Sequence, residues 1–550
     1  MSAATLRQAA LAAAARGDDA AAARGFAQAV ATYPGNAALL NSAGNFHAGA
    51  GRAAEALALF DRALGIDPTL GEAAINRAIV LTRLGHAAEA VDDLTARQGA
   101  LAGHPRYWTT RAAAENAAGN LRGAAASYDE QLRRDPRNRR ALHGRARIAL
   151  DRGDGSAIAR YDAALAETPG DPWLLHGLAQ ALEAAGDRAA ALELSGQLAT
   201  QLPQWIDALE LHATLRWAAG DRADFCDHYA TAVPHHADGA AERSWAAMLA
   251  GVDAHTAAAD ILTQCRARIG PRDPLLLDEA VYRGEAGDDA GAEAIFAAGT
   301  PATPDWWIAA ARQALRAGRP EQADTLLGQA IAVRDDDVMA WSLRDLAWRV
   351  LGDPRHDWLH GDPALVREAS LDLSDAALTD AIATLDLLHD RAAMPIGQSV
   401  KLGSQTRGGL FQRDEPAIRV VAQAVERALG AYRESLPAAD PTHPLLRARV
   451  RPWRIAGSWS IRLSGEGRHA PHVHPEGLLS SAAYFAVPGG GAGMLELGRP
   501  PANLRLDLAP LRTVVPRVGH CVLFPSTLFH GTRPIASGKR MTIAFDVASR

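Results

Sequence analysis

At 550 residues the chain exceeds what one hydrophobic core organises, so two or more folding units, or a solenoid joined to a globular domain, are expected. Hydrophobic residues make up 48% and the net charge is −6, which excludes the basic stripe of a nucleic-acid binder. No stretch approaches the roughly 18 consecutive apolar residues of a membrane span, so neither nucleic acid nor membrane is an expected partner.

The Ala-rich start, Met1 to Gly17, is broken by Arg7, Gln8 and Arg16 and lacks a long apolar run, so no secretory signal is read and a cytoplasmic location is expected. Cys226, Cys265 and Cys521 are too few and too scattered for a disulfide framework or a cysteine zinc site. Gly17, Gly51, Gly85, Gly119, Gly153, Gly186 and Gly220 follow one another at 34, 34, 34, 34, 33 and 34 residues. Prolines from Pro34 to Pro203 mark a second, offset beat, which gives two helices per unit. In the unit after Pro34, Ala43, Gly44, Ala56 and Ala63 are small residues that let helices approach, and Phe60 is the bulky knob between them. Tyr128 and Tyr161 repeat the knob.

These positions resemble the tetratricopeptide repeat. Gly251, Gly287, Gly318 and Gly352 continue the beat at 31, 36, 31 and 34, so the solenoid is expected over residues 1–355, with about ten helix hairpins. Its concave face is the expected seat of a protein or peptide partner. Asn45, Asn76 and Arg106 stand where repeats resembling chaperone-tail binders carry peptide-binding groups, whereas Asn41 and Thr110 replace the positive charges of a full carboxylate clamp.

A linking helical segment is expected over 356–394, with SDAALTDAIATLDLLHD as its helix. The polar, Gly-rich GQSVKLGSQTRGGLF either ends strands or lines a site, and AIRVVAQAVERALGAYRESL reads as a second helix. Beyond Pro452, SWSIRL, LLSSAAYFAV, GMLELG, LRLDL, HCVLFP and RMTIAFDVA read as strands. Six or more in about 100 residues imply a β-sandwich or barrel, and the expected form is a double-stranded β-helix, or jelly roll, with flanking helices over 395–550.

Within this domain His472 and His474 flank a single residue in HAPHVHPEG, and His530 follows a later strand. Residues i and i+2 share one side of an extended chain, so the two can converge on an ion that His530 closes from a neighbouring strand. Imidazoles suit iron, zinc and copper alike. His469 and His520 are expected to be bystanders. Ten residues past His530, Arg540 and Thr542 again lie two apart on one strand, and Ser460 with Arg462 precedes the site on a strand that could line it.

This HxH, strand, His, Arg-x-Thr pattern resembles the iron(II)- and 2-oxoglutarate-dependent oxygenases, most closely bacterial members with an HxHP motif, and more distantly the aspartyl/asparaginyl β-hydroxylases, which also carry tetratricopeptide-like helices. The resemblance implies Fe(II) held by His472, His474 and His530, and 2-oxoglutarate whose distal carboxylate meets Arg540, with Thr542 and Ser460 assisting. It departs from the family at His474, where an acid is usual and the β-hydroxylases have glycine. A three-histidine site, a two-histidine site with water and a degenerate domain therefore stay open. The expected activity is hydroxylation of a protein or peptide side chain recruited by the solenoid. The alternatives are a non-catalytic adaptor and a small-molecule hydroxylase.

Overall fold

The computed structural model describes residues 1–299, 302–392, 394, 396–489 and 491–549. The glycine beat reappears as geometry: Gly17, Gly51, Gly85, Gly119, Gly153, Gly186 and Gly220 hold φ between +63° and +98°, a region that side-chain-bearing residues avoid, at the turn joining two helices. Contacts divide the chain into two units, 1–174 and 175–550.

The first unit consists of helix hairpins. In Ala37–Gly49 and Ala53–Ile66, Asn36 caps the first helix by accepting from the Leu39 amide, and the ring of Phe60 lies against Gly44. A methyl at Gly44 would come within 2.6 Å of that ring, so the small residue and the knob form a matched pair. Tyr128 meets Gly144 in the same way. Of the groove positions singled out in the sequence, Asn41, Asn76 and Arg106 bond to one another: Arg106 donates to Asn76 Oδ1 (3.1 Å) and pairs with Glu72 (3.2 Å), and Asn76 Nδ2 donates to Asn41 Oδ1 (3.0 Å). Glu72 already engages Arg106 within this polar network.

In the second unit the helices continue through Val338–Leu351 and are followed, among the described residues, by nine strands. The strands are β1 (Arg367–Ser370), β2 (Val400–Gln405), β3 (Trp453–His469), β4 (Leu479–Ala486), β5 (Leu495–Leu497), β6 (Arg512–Val514), β7 (His520–Pro525), β8 (His530–Thr532) and β9 (Lys539–Ser549). They form an antiparallel six-stranded sheet of order β1-β7-β4-β9-β3-β2 and a three-stranded sheet of order β6-β5-β8. Tyr484, Leu495, Leu497, Val522 and Phe524 fill the space between the sheets. Helices Asp375–His389 and Pro416–Ser435 cover the outer face of the large sheet through Leu385, Val421, Val425, Phe485 and Phe545.

Three expectations need correction. The 356–394 segment is more than a linker: its β1 pairs with β7 as the edge of the large sheet, and the expected start of the β domain, residue 395, lies outside the described residues. LRLDL is not a strand. A 3-10 turn, Ala502–Leu504, ends at Arg505 with φ +55°, which breaks the extended run, while Leu504, Leu506 and Leu508 turn into a cluster with the helices. Gly251, read as one more turn glycine, has φ −61°, and Asp253 takes the left-handed position at +65°. Gly251 serves close approach: a methyl there would meet Ile396 Cγ2 at 2.6 Å, and its carbonyl accepts from Gly397 N at 3.0 Å.

Candidate metal centre and anion pocket

His472 and His530 are brought together by the backbone, since each donates its N–H to the other's carbonyl, at 3.0 and 2.9 Å. Their rings therefore lie side by side, with centroids 4.2 Å apart. Two residues on, His474 lies on the same side of the chain, its Nε2 3.1 Å from Nε2 of His472. The residue between them faces the other way. Val473 is buried in a cluster with Leu327, Leu343 and Leu346 of the helices, and Phe529, immediately before His530, enters the same cluster. The posture of all three histidines is thus set by helices more than 120 residues upstream.

Each Nδ1 already has an acceptor: Ala470 O at 2.9 Å for His472, Leu528 O at 3.1 Å for His530 and Asp546 Oδ1 at 2.5 Å for His474. With the proton on Nδ1, each Nε2 offers a lone pair, and the three ligand atoms lie within 4.8 Å of one another. Two nitrogens bound at about 2.1 Å and at right angles stand roughly 3 Å apart, which the 3.1 Å separation matches. Burial and the neighbouring imidazole hold His472 down to about 3, and burial holds His530 well below the usual histidine range, so protons do not compete for these nitrogens near neutrality. The residues present therefore fit a divalent transition metal.

A pocket of about 50 Å³ opens beside the histidines, bordered by Trp459, Ile461, Phe524, Thr532, Arg540 and Thr542. The Arg540 guanidinium is 2% exposed, donates from Nε to Gly493 O (3.1 Å) and lies over the Tyr484 ring at 5.3 Å. Gly493 is required there, because a methyl at its position would stand 3.0 Å from Arg540 Cδ. Burial pulls the guanidinium below its usual range, yet no carboxylate pairs with Arg540 among the described residues. A buried, uncompensated cation bordering a pocket is a seat for an anion, and its planar fork suits a carboxylate.

Thr542 borders the pocket with Arg540, as strand alternation requires. Ser460 does not. It lies on the opposite face of β3 from Trp459 and Ile461, where Oγ donates to Thr542 O (2.9 Å) and bonds His389 Nε2 (2.9 Å). Arg462 shares that face and pairs with Asp390 at 3.0 Å. His520 stands away from the pocket, bonded to Val518 O (3.2 Å). His469, taken for a bystander, borders it: its ring stacks on His472, and Ser399 Oγ bridges the two imidazoles at 3.1 and 3.2 Å. Asp546 was missed although period-two spacing from Arg540 and Thr542 points to it. Ser399 carried no signal beyond its polar segment.

A protein-family profile described as "Putative 2OG-Fe(II) oxygenase" matches residues 457–546, which include all three histidines, Arg540 and Asp546. No curated protein matches the chain. Among solved structures, a tetratricopeptide repeat protein from Parabacteroides merdae ATCC 43184 is 20% identical over 44% of this chain and 97% of its own, with a TM-score of 0.37. PilW, a type IV pilus biogenesis factor, is 20% identical over 38% and 97%, at 0.36. YrrB, a TPR protein with an unusual peptide-binding site, is 17% identical over 34% and 96%, at 0.29.

Proposed function

From a chain that carries a C-terminal domain of the 2OG-Fe(II) oxygenase family, we propose an Fe(II)- and 2-oxoglutarate-dependent dioxygenase that hydroxylates a side chain of a protein or peptide. One observation carries the reading: three clustered imidazoles and a buried guanidinium with no carboxylate partner among the described residues border the same pocket. His472, His474 and His530 would hold the metal, and Arg540 would receive the distal carboxylate of 2-oxoglutarate, assisted by Thr542. When bound, the metal and 2-oxoglutarate would let dioxygen act as the oxidant: one of its oxygen atoms would turn C–H into C–OH and the other would enter the cosubstrate, which would leave as succinate and carbon dioxide.

The chain's own residues prepare that chemistry. Asp546 fixes the tautomer and ring plane of His474, as the Ala470 and Leu528 carbonyls do for the other two imidazoles. Trp459, Ile461, Phe524 and Leu495 keep one wall of the pocket apolar, which strengthens the pairing of Arg540 with an anion. An imidazole at 474 in place of a carboxylate leaves the metal one unit more positive, while Asp546 returns negative charge at one remove through the ring. Anaerobic reconstitution of the full chain with Fe(II), followed by admission of oxygen, tests the reading. One Fe(II) per chain and release of succinate from 2-oxoglutarate are expected, whereas failure to bind metal and failure to bind 2-oxoglutarate would leave the adaptor reading in its place.

A further inference from the structure

The histidine face borders more than the anion pocket. It opens into a cleft within the second unit, between the helices of residues 240–316 and the β domain. One lobe, about 790 Å³, and another, about 720 Å³, meet over Pro471, His472 and Val473 and share Asp253, Arg312 and Lys401. A dead-end pocket takes a small molecule or a chain terminus. A passage with two open lobes over the metal takes an internal residue of a linear chain, and each lobe alone matches an ordinary ligand pocket.

Both banks are pinned. Lys401 pairs with Asp253 (2.6 Å), Gly397 N donates to Gly251 O (3.0 Å), Arg505 pairs with Asp289 (2.7 Å) and Arg316 Nε donates to Asn503 O (3.2 Å). The cleft is therefore preformed, and a chain entering it need not order the walls.

Its lobes differ in charge. In the larger lobe the unshared residues include Arg468, Arg499 and Arg533 against the single carboxylate Glu496, which Arg499 and Arg533 both engage. Arg468 is exposed and has no carboxylate partner among the described residues. The unshared part of the smaller lobe has Glu285, Glu476 and Asp546 and no arginine or lysine. Glu285 is bonded by Arg312 and Arg316, and Asp546 by His474, which leaves Glu476 exposed at that end.

We infer that the substrate is an extended polypeptide segment threaded through this cleft, acidic on the flank that lies over Arg468, Arg499 and Arg533 and non-acidic on the other, presenting an internal side chain to the histidines. This rests on the dioxygenase reading for the word substrate, but its binding geometry is tested without turnover. A uniformly anionic polymer such as a nucleic acid fits less well, because the carboxylates of the smaller lobe oppose it.

The test is fluorescence anisotropy on the full chain with three probes: a labelled dodecapeptide of four glutamates followed by eight Gly, Ser and Ala residues, its counterpart with four lysines, and a single-stranded oligothymidine of the same length. The glutamate peptide is expected to bind and the lysine peptide not. The double variant Arg468→Glu/Arg533→Glu, changed at two exposed positions, should weaken the glutamate peptide roughly tenfold or more. Ala470→Trp, which fills the cleft where the lobes meet and keeps every arginine, should also abolish binding. Binding that survives Ala470→Trp, no preference for glutamate over lysine, or tighter binding of the oligothymidine would each overturn the inference. Succinate release measured in parallel separates the two readings: a chain that turns over 2-oxoglutarate yet ignores the glutamate peptide sinks the cleft proposal alone, and the reverse sinks only the dioxygenase.

Discussion

Removing the Arg540 guanidinium probes the anion pocket directly. The group is 2% exposed, and its Nε is spent on Gly493 O, which leaves the outer nitrogens for a carboxylate in a two-pronged arrangement. Truncating one partner of a buried, hydrogen-bonded charge pair costs about 2–5 kcal/mol, roughly 30- to 5000-fold in Kd. The burial of this side chain places Arg540→Ala toward the upper part of that range. Because alanine also opens a void beside Tyr484, Arg540→Met should accompany it: methionine keeps most of the volume without the charge. The assay is calorimetric titration of 2-oxoglutarate into Zn(II)-loaded protein, with metal content measured on the same sample. Both variants should retain metal and lose cosubstrate affinity, and Arg540→Lys should fall between because it keeps the charge without the fork. Affinity within threefold of the parent in both variants, at equal metal content, would show that the anion seat lies elsewhere.

His474→Ala should empty the metal site as thoroughly as His472→Ala or His530→Ala, while Asp546→Asn should weaken metal binding roughly ten- to a hundredfold by releasing the His474 ring; parent-like iron in His474→Ala would instead establish a two-histidine site. Val473→Asp should lower metal affinity and destabilise the second unit by about 3 kcal/mol or more, because a carboxylate would enter the apolar cluster, and an unchanged melt would contradict the anchoring role. His389, held neutral between Ser404 and Ser460 and pushed down to about 4 by burial, takes up its proton later than the unfolded chain does as pH falls. Its contribution of about 3 kcal/mol is present above pH 6.5 and lost on the way down to pH 4, so melts of the parent should fall more steeply over that window than those of His389→Gln. Residues 1–174 alone should give a helical, cooperative melt, and a non-cooperative one would move the division between the units.

The repeat was legible because each turn needs a residue that tolerates positive φ, which prints a glycine every 34 residues. It ceased to be so where Asp253 took over that position and Gly251 became a point of close approach. The histidines were legible for a similar reason: backbone alternation turns a spacing of two into convergence. The same rule, misapplied by one residue, put Ser460 in the pocket when its neighbours Trp459 and Ile461 are there. Strands of three or four residues, such as β1, β6 and β8, have too few positions to display a period, and their pairing is decided by distant partners. Asp546 was readable in principle. His469 and Ser399 were not, since only the fold brings residues 399, 469 and 472 together.

Val473 and Phe529 also bear on how such a chain could be cut and rejoined. The stretch that carries the ligands ends its influence on them at the backbone: the residues that plug each ligand loop in place seat themselves among Leu327, Leu343 and Leu346. A recombinant joining 457–546 to a foreign solenoid would keep every imidazole, yet leave Val473, Leu504 and Phe529 facing water or a mismatched surface. The ligand loops would then be free to rotate away from one another. Transplanting the site therefore means carrying helices Pro304–Arg316 through Val338–Leu351 along with the sheet, so that the heritable unit of this site is larger than the motif by which it is recognised.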